Sequence, residues 1–224
     1  MADVHVLRVF TDRDGSGGNP LGVVLDGAAV PDGDRQGFAA ELGFSETVFV
    51  DDPELGEVRI FTPGTEVAFA GHPSVGTAWL LARERGPIAA LRPPAGEVPV
   101  RYDREVVWIA GRAEWAPPFE HLELDSPQEV DALSEPPSGH ALPAACAWED
   151  EEAGRVRARV FPLALGIEED EATGAAAVRL GALLGRELLI RQGQGSLIHV
   201  RPRSGGMVEI GGQVELDEVR RIGA

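Results

Sequence analysis

The sequence predicts an α/β (α+β) fold of two pseudo-symmetric lobes, each a curved, mostly antiparallel sheet around a central helix. Three observations carry that prediction. Two helical stretches, 73–83 and 175–184, are apolar around nearly their whole circumference, and a helix apolar all round must be wrapped by other structure. Each follows short alternating segments with the period of strands. Phe61-Thr62-Pro63 lies ahead of Gly71 much as Phe161-Pro162 lies ahead of Gly174, which reads as an internal duplication. With 224 residues, 43% of them hydrophobic, there is enough material for such a core; a chain of this length buries roughly 70–75% of the surface its unfolded form exposes.

The elements follow in order. Residues 5–10 alternate as a strand, and Asn19-Pro20 turns the chain into a second at 22–25. From Asp34 the spacing of Phe38, Ala39 and Leu42 suits a short amphipathic helix, with Gly43 as its cap. Strands at 46–50 and 58–61 lead through 64–70 to Gly71-His72-Pro73-Ser74, where Pro73 suits a first helical position. Pro and Gly between Leu91 and Gly96 place a boundary near residue 100: an N-terminal lobe 1–100 and a shortened C-terminal lobe 101–224, whose last segment is free to return to the first. Acidic Glu149-Asp150-Glu151-Glu152 reads as a solvated hairpin tip ahead of a half-exposed strand at 155–161. Glu168 to Gly174 then enters the second apolar helix, and strands at 197–201 and 207–210 close the chain.

Composition removes several chemistries. Twenty basic against 37 acidic residues give a net charge of −17, so phosphate backbones and anionic membranes are poor partners. All 20 basic residues are Arg. Without Lys there is no Walker-type phosphate loop and no Schiff-base amine. The single Cys146 excludes an intrachain disulfide, a four-cysteine zinc site and any mechanism with two facing thiols. Its plainer reading is a small buried hydrophobe. The five His lack paired ligand spacing, and Gly193-Gln194-Gly195 does not complete a dinucleotide fingerprint, so no metal and no cofactor are expected. The four Trp suit core or interface better than a ligand platform. No secretory apolar stretch follows Met1 and no long apolar run occurs, which points to the cytoplasm.

Both central helices start at a Gly-containing junction, where free N–H groups and the positive end of the macrodipole favour an anion. Two such ends facing each other would hold a substrate carboxylate, although Gly also serves simple tight turns. Glu46 opens an apolar strand, where a carboxylate is costly unless paired or used. Buried, it has a raised pKa and works as a general acid or base; on the polar face of an edge strand it is an ordinary exposed residue. His72 is a hydrogen-bond donor or proton relay, or a capping His satisfied by backbone. Asp170 is a second acid/base group facing Glu46, or a favourable acid near a helix N-terminus like its neighbours.

Gly18-Asn19-Pro20-Leu21-Gly22-Val23-Val24, Phe44-Ser45-Glu46-Thr47-Val48-Phe49, Phe69-Ala70-Gly71-His72-Pro73 and Glu169-Asp170-Glu171-Ala172-Thr173-Gly174 together resemble the PhzF family of phenazine-biosynthesis-like isomerases. The resemblance covers most of the first half and the 155–201 region. It implies the diaminopimelate-epimerase-like fold and a cofactor-free active site in the cleft between the lobes. Diaminopimelate epimerases on that fold use two cysteines, which this chain lacks. In PhzF the Glu of the Ser-Glu-Thr motif moves a proton on trans-2,3-dihydro-3-hydroxyanthranilate. Carried over, that Glu is Glu46, with Asp170 and His72 assisting and Asn19, Ser45, Gly71, His72, Thr173, Gly174 and Ala175 around a small carboxylate substrate. The family implies a homodimer. Two features depart from its pattern: Ala175 stands where Ser is usual, and the stretch from about Trp115 to Arg155 is short. They keep open two rival functions: a racemase or epimerase of a small carboxylic acid, and a ligand-binding protein that has lost catalysis.

Overall fold

The computed structural model describes residues 2–222. The chain runs β1 (Ala2–Thr11), β2 (Asn19–Val24), α1 (Asp32–Leu42), β3 (Glu46–Asp52), β4 (Glu57–Phe61), β5 (Glu66–Val67) and α2 (Gly71–Glu84). It continues through β6 (Ala90–Leu91), β7 (Val98–Asp103), β8 (Val106–Arg112), β9 (Glu120–Glu123), α3 (Pro127–Asp131), β10 (Pro143–Asp150) and β11 (Arg155–Val160). Last come α4 (Gly174–Leu184), β12 (Leu188–Gln192), β13 (Ser196–Pro202) and β14 (Met207–Ile222).

The strands form one continuous sheet in the order β5-β4-β3-β2-β1-β14-β13-β12-β11-β10-β9, with β8, β7 and β6 branching from β14. Pairing is antiparallel except at β2/β3, β9/β10 and β11/β12. The sheet wraps α2 with β1, β2, β3, β8 and β14, and α4 with β8, β13 and β14. In α2 the side chains of Val75, Leu80 and Leu81 are fully buried; burial of that kind stabilises by roughly 1.5–3 kcal/mol each. This is why a helix without a polar face is stable in water.

Both apolar helices fall where the sequence places them. β14 is much longer than the expected strand at 207–210: it pairs with β8 and β13 through its first half and with β1 through its second. After Gly211-Gly212 its alternation is masked by charge, because Glu215, Asp217, Glu218, Arg220 and Arg221 face solvent; Asp217 pairs across the ladder with Arg8 at 2.9 Å and Arg221 with Asp3 at 2.8 Å, while Arg220 pairs with Glu218 along the strand. One strand thus joins the sheet around α2 to the sheet around α4. Between residues 90 and 150 the structure adds β6 to β10 and α3. Of these, β8 is buried along most of its length, so it reads as a continuous apolar run rather than an alternating one. The acidic run ends at the exposed β10–β11 turn, with Arg155 bonded to Asp150 at 2.7 Å. No helix among the described residues is long and apolar enough to cross a membrane.

Candidate active site

The site forms where the two central helices begin. Neither α2 nor α4 has a side-chain cap, so their first N–H groups are left for another partner. The two ends touch backbone to backbone: a Cβ on Gly71 would lie 2.7 Å from the Cα and carbonyl carbon of Gly174. A Cβ on Gly174 would lie 2.9 Å from the Gly71 Cα and the His72 nitrogen. No side chain fits at either place. Two positive helix ends in contact attract negative charge between them.

Glu46, the first residue of β3, pairs in register with Leu21 of β2, which brings it to these helix ends. Its side chain is 15% exposed, and that of His72, in the first turn of α2, only 3%. His72 Nε2 lies 3.4 Å from Glu46 Oε2, yet neither atom has an aligned hydrogen-bond partner. Burial, reinforced by the charge of Asp170, pushes Glu46 up to about 8, while its hydrogen bond with Ser45 opposes the rise. Burial pushes His72 down to about 3 against the pull of the Pro20 carbonyl. At neutral pH Glu46 therefore keeps its proton and His72 is uncharged. The contact joins two neutral groups; it is not an ion pair.

Asp170 comes from the connection between β11 and α4, held in place by its own N–H bonded to the Val160 carbonyl at 2.9 Å. Burial raises its proton affinity, and hydrogen bonds from Thr173 and Asn19 oppose the rise. Asn19 reaches across from β2: its Nδ2 donates to Asp170 Oδ1 at 2.7 Å, and its Oδ1 accepts from the Ser45 hydroxyl at 3.2 Å. Glu46, Asp170, Thr173 and Ala175 line a narrow cavity of about 40 Å³ closed by Phe69 and Phe119. Larger open depressions of about 570 Å³ beside Asp3 and Glu84 and about 540 Å³ beside Arg157 and Glu171 contain no comparable pair of buried acids. The buried acids, not volume, mark the site.

All nine positions expected from the sequence meet here: Asn19, Ser45, Glu46, Gly71, His72, Asp170, Thr173, Gly174 and Ala175. Ala175 presents a methyl group to the cavity. Cys146 is elsewhere, on β10, its thiol pushed up to about 11 by burial and Glu123. Among the described residues no three His, Cys, Asp or Glu side chains converge to hold a metal ion. Sequence reasoning missed Gln192 and Glu171. Gln192 shares an inward face of β12 with Leu188 and Ile190, and a polar residue in an apolar phase was the available signal. Glu171 binds the Ser196 hydroxyl at 2.7 Å, and that hydroxyl accepts from the Gly18 N–H at 2.9 Å, so the loop carrying Asn19 is tied to the segment carrying Asp170.

Two lobes of mixed sheet, each around a central helix, with a buried acid pair where the helices meet, define a protein of the diaminopimelate-epimerase-like fold. Solved structures of PhzF-type proteins share it: one from Clostridium difficile with a TM-score of 0.80 and 20% identity over the whole of both chains, one from Enterococcus faecalis with 0.75 and 21% over 97% of both. Residues 7–136 match the PhzC-PhzF family, described as phenazine biosynthesis-like protein, and the chain belongs to that family of isomerases. A relative from Pseudomonas fluorescens, named trans-2,3-dihydro-3-hydroxyanthranilate isomerase, is 32% identical over 219 residues, covering 79% of this chain and 78% of that protein.

Proposed function

We propose that this protein is a cofactor-independent isomerase of a small cyclic or amino carboxylic acid, with Glu46 as the acid/base. The observation that carries the reading is Glu46 and His72 meeting with unpaired buried atoms at the uncapped ends of α2 and α4. The substrate carboxylate sits at the N–H groups of those ends. The minor fraction of Glu46 that is ionised at neutral pH takes a proton from a carbon next to an unsaturated system, the electron pair delocalises, and the protonated Glu46 returns the proton at another carbon. Atoms and charge balance without a second reactant. A base titrating near 8 is matched to proton transfer from carbon at neutral pH. Neutral His72, beside Glu46, offers Nε2 as a hydrogen-bond partner without placing a charge in the site.

Asp170 argues against a two-base racemase, because both its oxygens accept hydrogen bonds, from Asn19 and Thr173. It orients and polarises rather than abstracting a proton. The cavity of about 40 Å³ has the size of a water site, so a substrate larger than water needs it to widen. A homodimer and a cytoplasmic location belong to the same reading, and sedimentation of the purified chain tests the first.

The test is incubation in deuterated water with trans-2,3-dihydro-3-hydroxyanthranilate, the compound in the relative's name, followed by NMR. Deuterium uptake with isomerisation is expected, reduced about 10²–10⁴-fold in Glu46→Gln. Undiminished exchange in that variant would remove Glu46 from the chemistry. Saturable binding without exchange would favour a ligand-binding protein.

A further inference from the structure

Gln192 ends β12 at 1% exposure, and its amide is engaged entirely with the segment ahead of α4. Nε2 donates to the Asp170 carbonyl at 2.8 Å and to the Thr173 hydroxyl oxygen at 2.9 Å, while Oε1 accepts from the Thr173 N–H at 3.1 Å. A backbone carbonyl only accepts and a backbone N–H only donates, so these partners determine which end of the amide is nitrogen. The consequence passes to Thr173. A hydroxyl has one hydrogen, and with its oxygen already accepting from Gln192 that hydrogen goes to Asp170 Oδ2, 2.6 Å away. On the other side of the carboxyl, Asn19 Nδ2 donates to Oδ1 at 2.7 Å. Its amide is oriented in the same manner, since Nδ2 also donates to the Ala172 carbonyl at 2.9 Å. Both Asp170 oxygens are therefore acceptors, an arrangement that favours the carboxylate over the carboxylic acid against the opposing effect of burial.

We propose that Gln192 is a positioning residue: by fixing the direction of the Thr173 hydroxyl it keeps Asp170 an ionised acceptor beside Glu46 and leaves Glu46 as the group that carries the mobile proton. The proposal rests on the reading of Glu46 as the acid/base. Two buried acids in one cleft cannot both ionise easily, and the one receiving two donated hydrogen bonds ionises first. The surroundings support this assignment. Glu46 faces neutral His72 from α2, Asp170 from the segment ahead of α4, and Ser45 from its own chain neighbour. Asp170 is flanked by Glu171, whose carboxylate is held by the Ser196 hydroxyl and the Gln194 N–H. No other charged side chain lines the cavity.

The test reads proton occupancy directly. In full-length chain carrying carboxyl-labelled Glu and Asp, the Glu46 and Asp170 resonances, identified by their loss in Glu46→Gln and Asp170→Asn, are titrated by NMR in the wild type, Gln192→Met and Thr173→Val. Methionine matches the length of Gln without donating or accepting strongly. In both variants Asp170 is expected to hold its proton to higher pH and Glu46 to titrate lower by about one pH unit. Turnover is expected to fall about tenfold in kcat with KM within about twofold, as for a misadjusted acid/base group. If Gln192→Met does not fold, Thr173→Val, which removes the hydroxyl itself, decides. A folded variant with both titrations unchanged overturns the proposal; a purely structural Gln192 would lower the unfolding temperature without moving either. Failure of the wild type to exchange any substrate proton would sink the functional reading alone, because the titrations are measured without substrate.

Discussion

The helices α2 and α4 are the same device with different last turns. At their N-terminal ends they are alike: glycine at the point of contact, no side-chain cap, and residues buried turn after turn. At their far ends both open to solvent, but through different residues: the last turn of α2 exposes the charged Arg83 and Glu84, whereas that of α4 exposes Leu183 at 70% and Leu184 at 38%. The shared end, where the candidate chemistry lies, is buried in both helices, and only α4 leaves apolar side chains in water at the other.

This contrast can be broken by substitution. Leu80→Ala opens a cavity in the fully wrapped helix and is expected to lower the unfolding free energy by about 2–5 kcal/mol in urea titration. Gly71→Ala or Gly174→Ala forces a methyl group into opposing backbone, and a loss of about 1–3 kcal/mol or more is expected, with loss of substrate binding beyond what stability explains. A third experiment isolates the buried acid. Glu46 binds its proton more tightly folded, near 8, than at its ordinary value of 4.5. Its contribution to stability is thus fully present below about pH 4.5 and is lost as the pH rises through 8. Between pH 5 and 9 the wild type should lose at least about 1 kcal/mol more than Glu46→Gln. Smallest of all, Leu183→Ala at the uncovered end should shift stability by no more than about 0.5 kcal/mol. A large loss there would mean that something covers this face in solution, and the difference between the two helices would disappear.

Much of this was legible beforehand because short-range patterns carried it. Apolar residues around the whole helical circumference announced two wrapped helices, and Gly71 and Gly174 at matched junctions announced two helix ends of one kind. Glu46 stood out as a carboxylate opening an apolar strand. The second half of β14 was hidden because its exposed face is dense in charge, whose partners across the ladder, Arg8 for Asp217 and Asp3 for Arg221, lie 209 and 218 residues away in the chain. Gln192 was hidden differently. Its residue type is ordinary, and only contact with Asp170 and Thr173, about 20 residues earlier in the chain, gives it a task.

By itself the sequence determined the two-lobed α/β plan, the family and the residues gathered around the cleft. It could do so because periodicity and turn chemistry are local and the motifs lie intact along the chain. Tertiary structure alone decided the protonation states. Glu46 near 8 and His72 near 3 follow from how completely each is removed from water and from which charge lies beside it. Those quantities are summed over neighbours from β2, α2 and the segment ahead of α4, so they exist only once the chain has closed on itself.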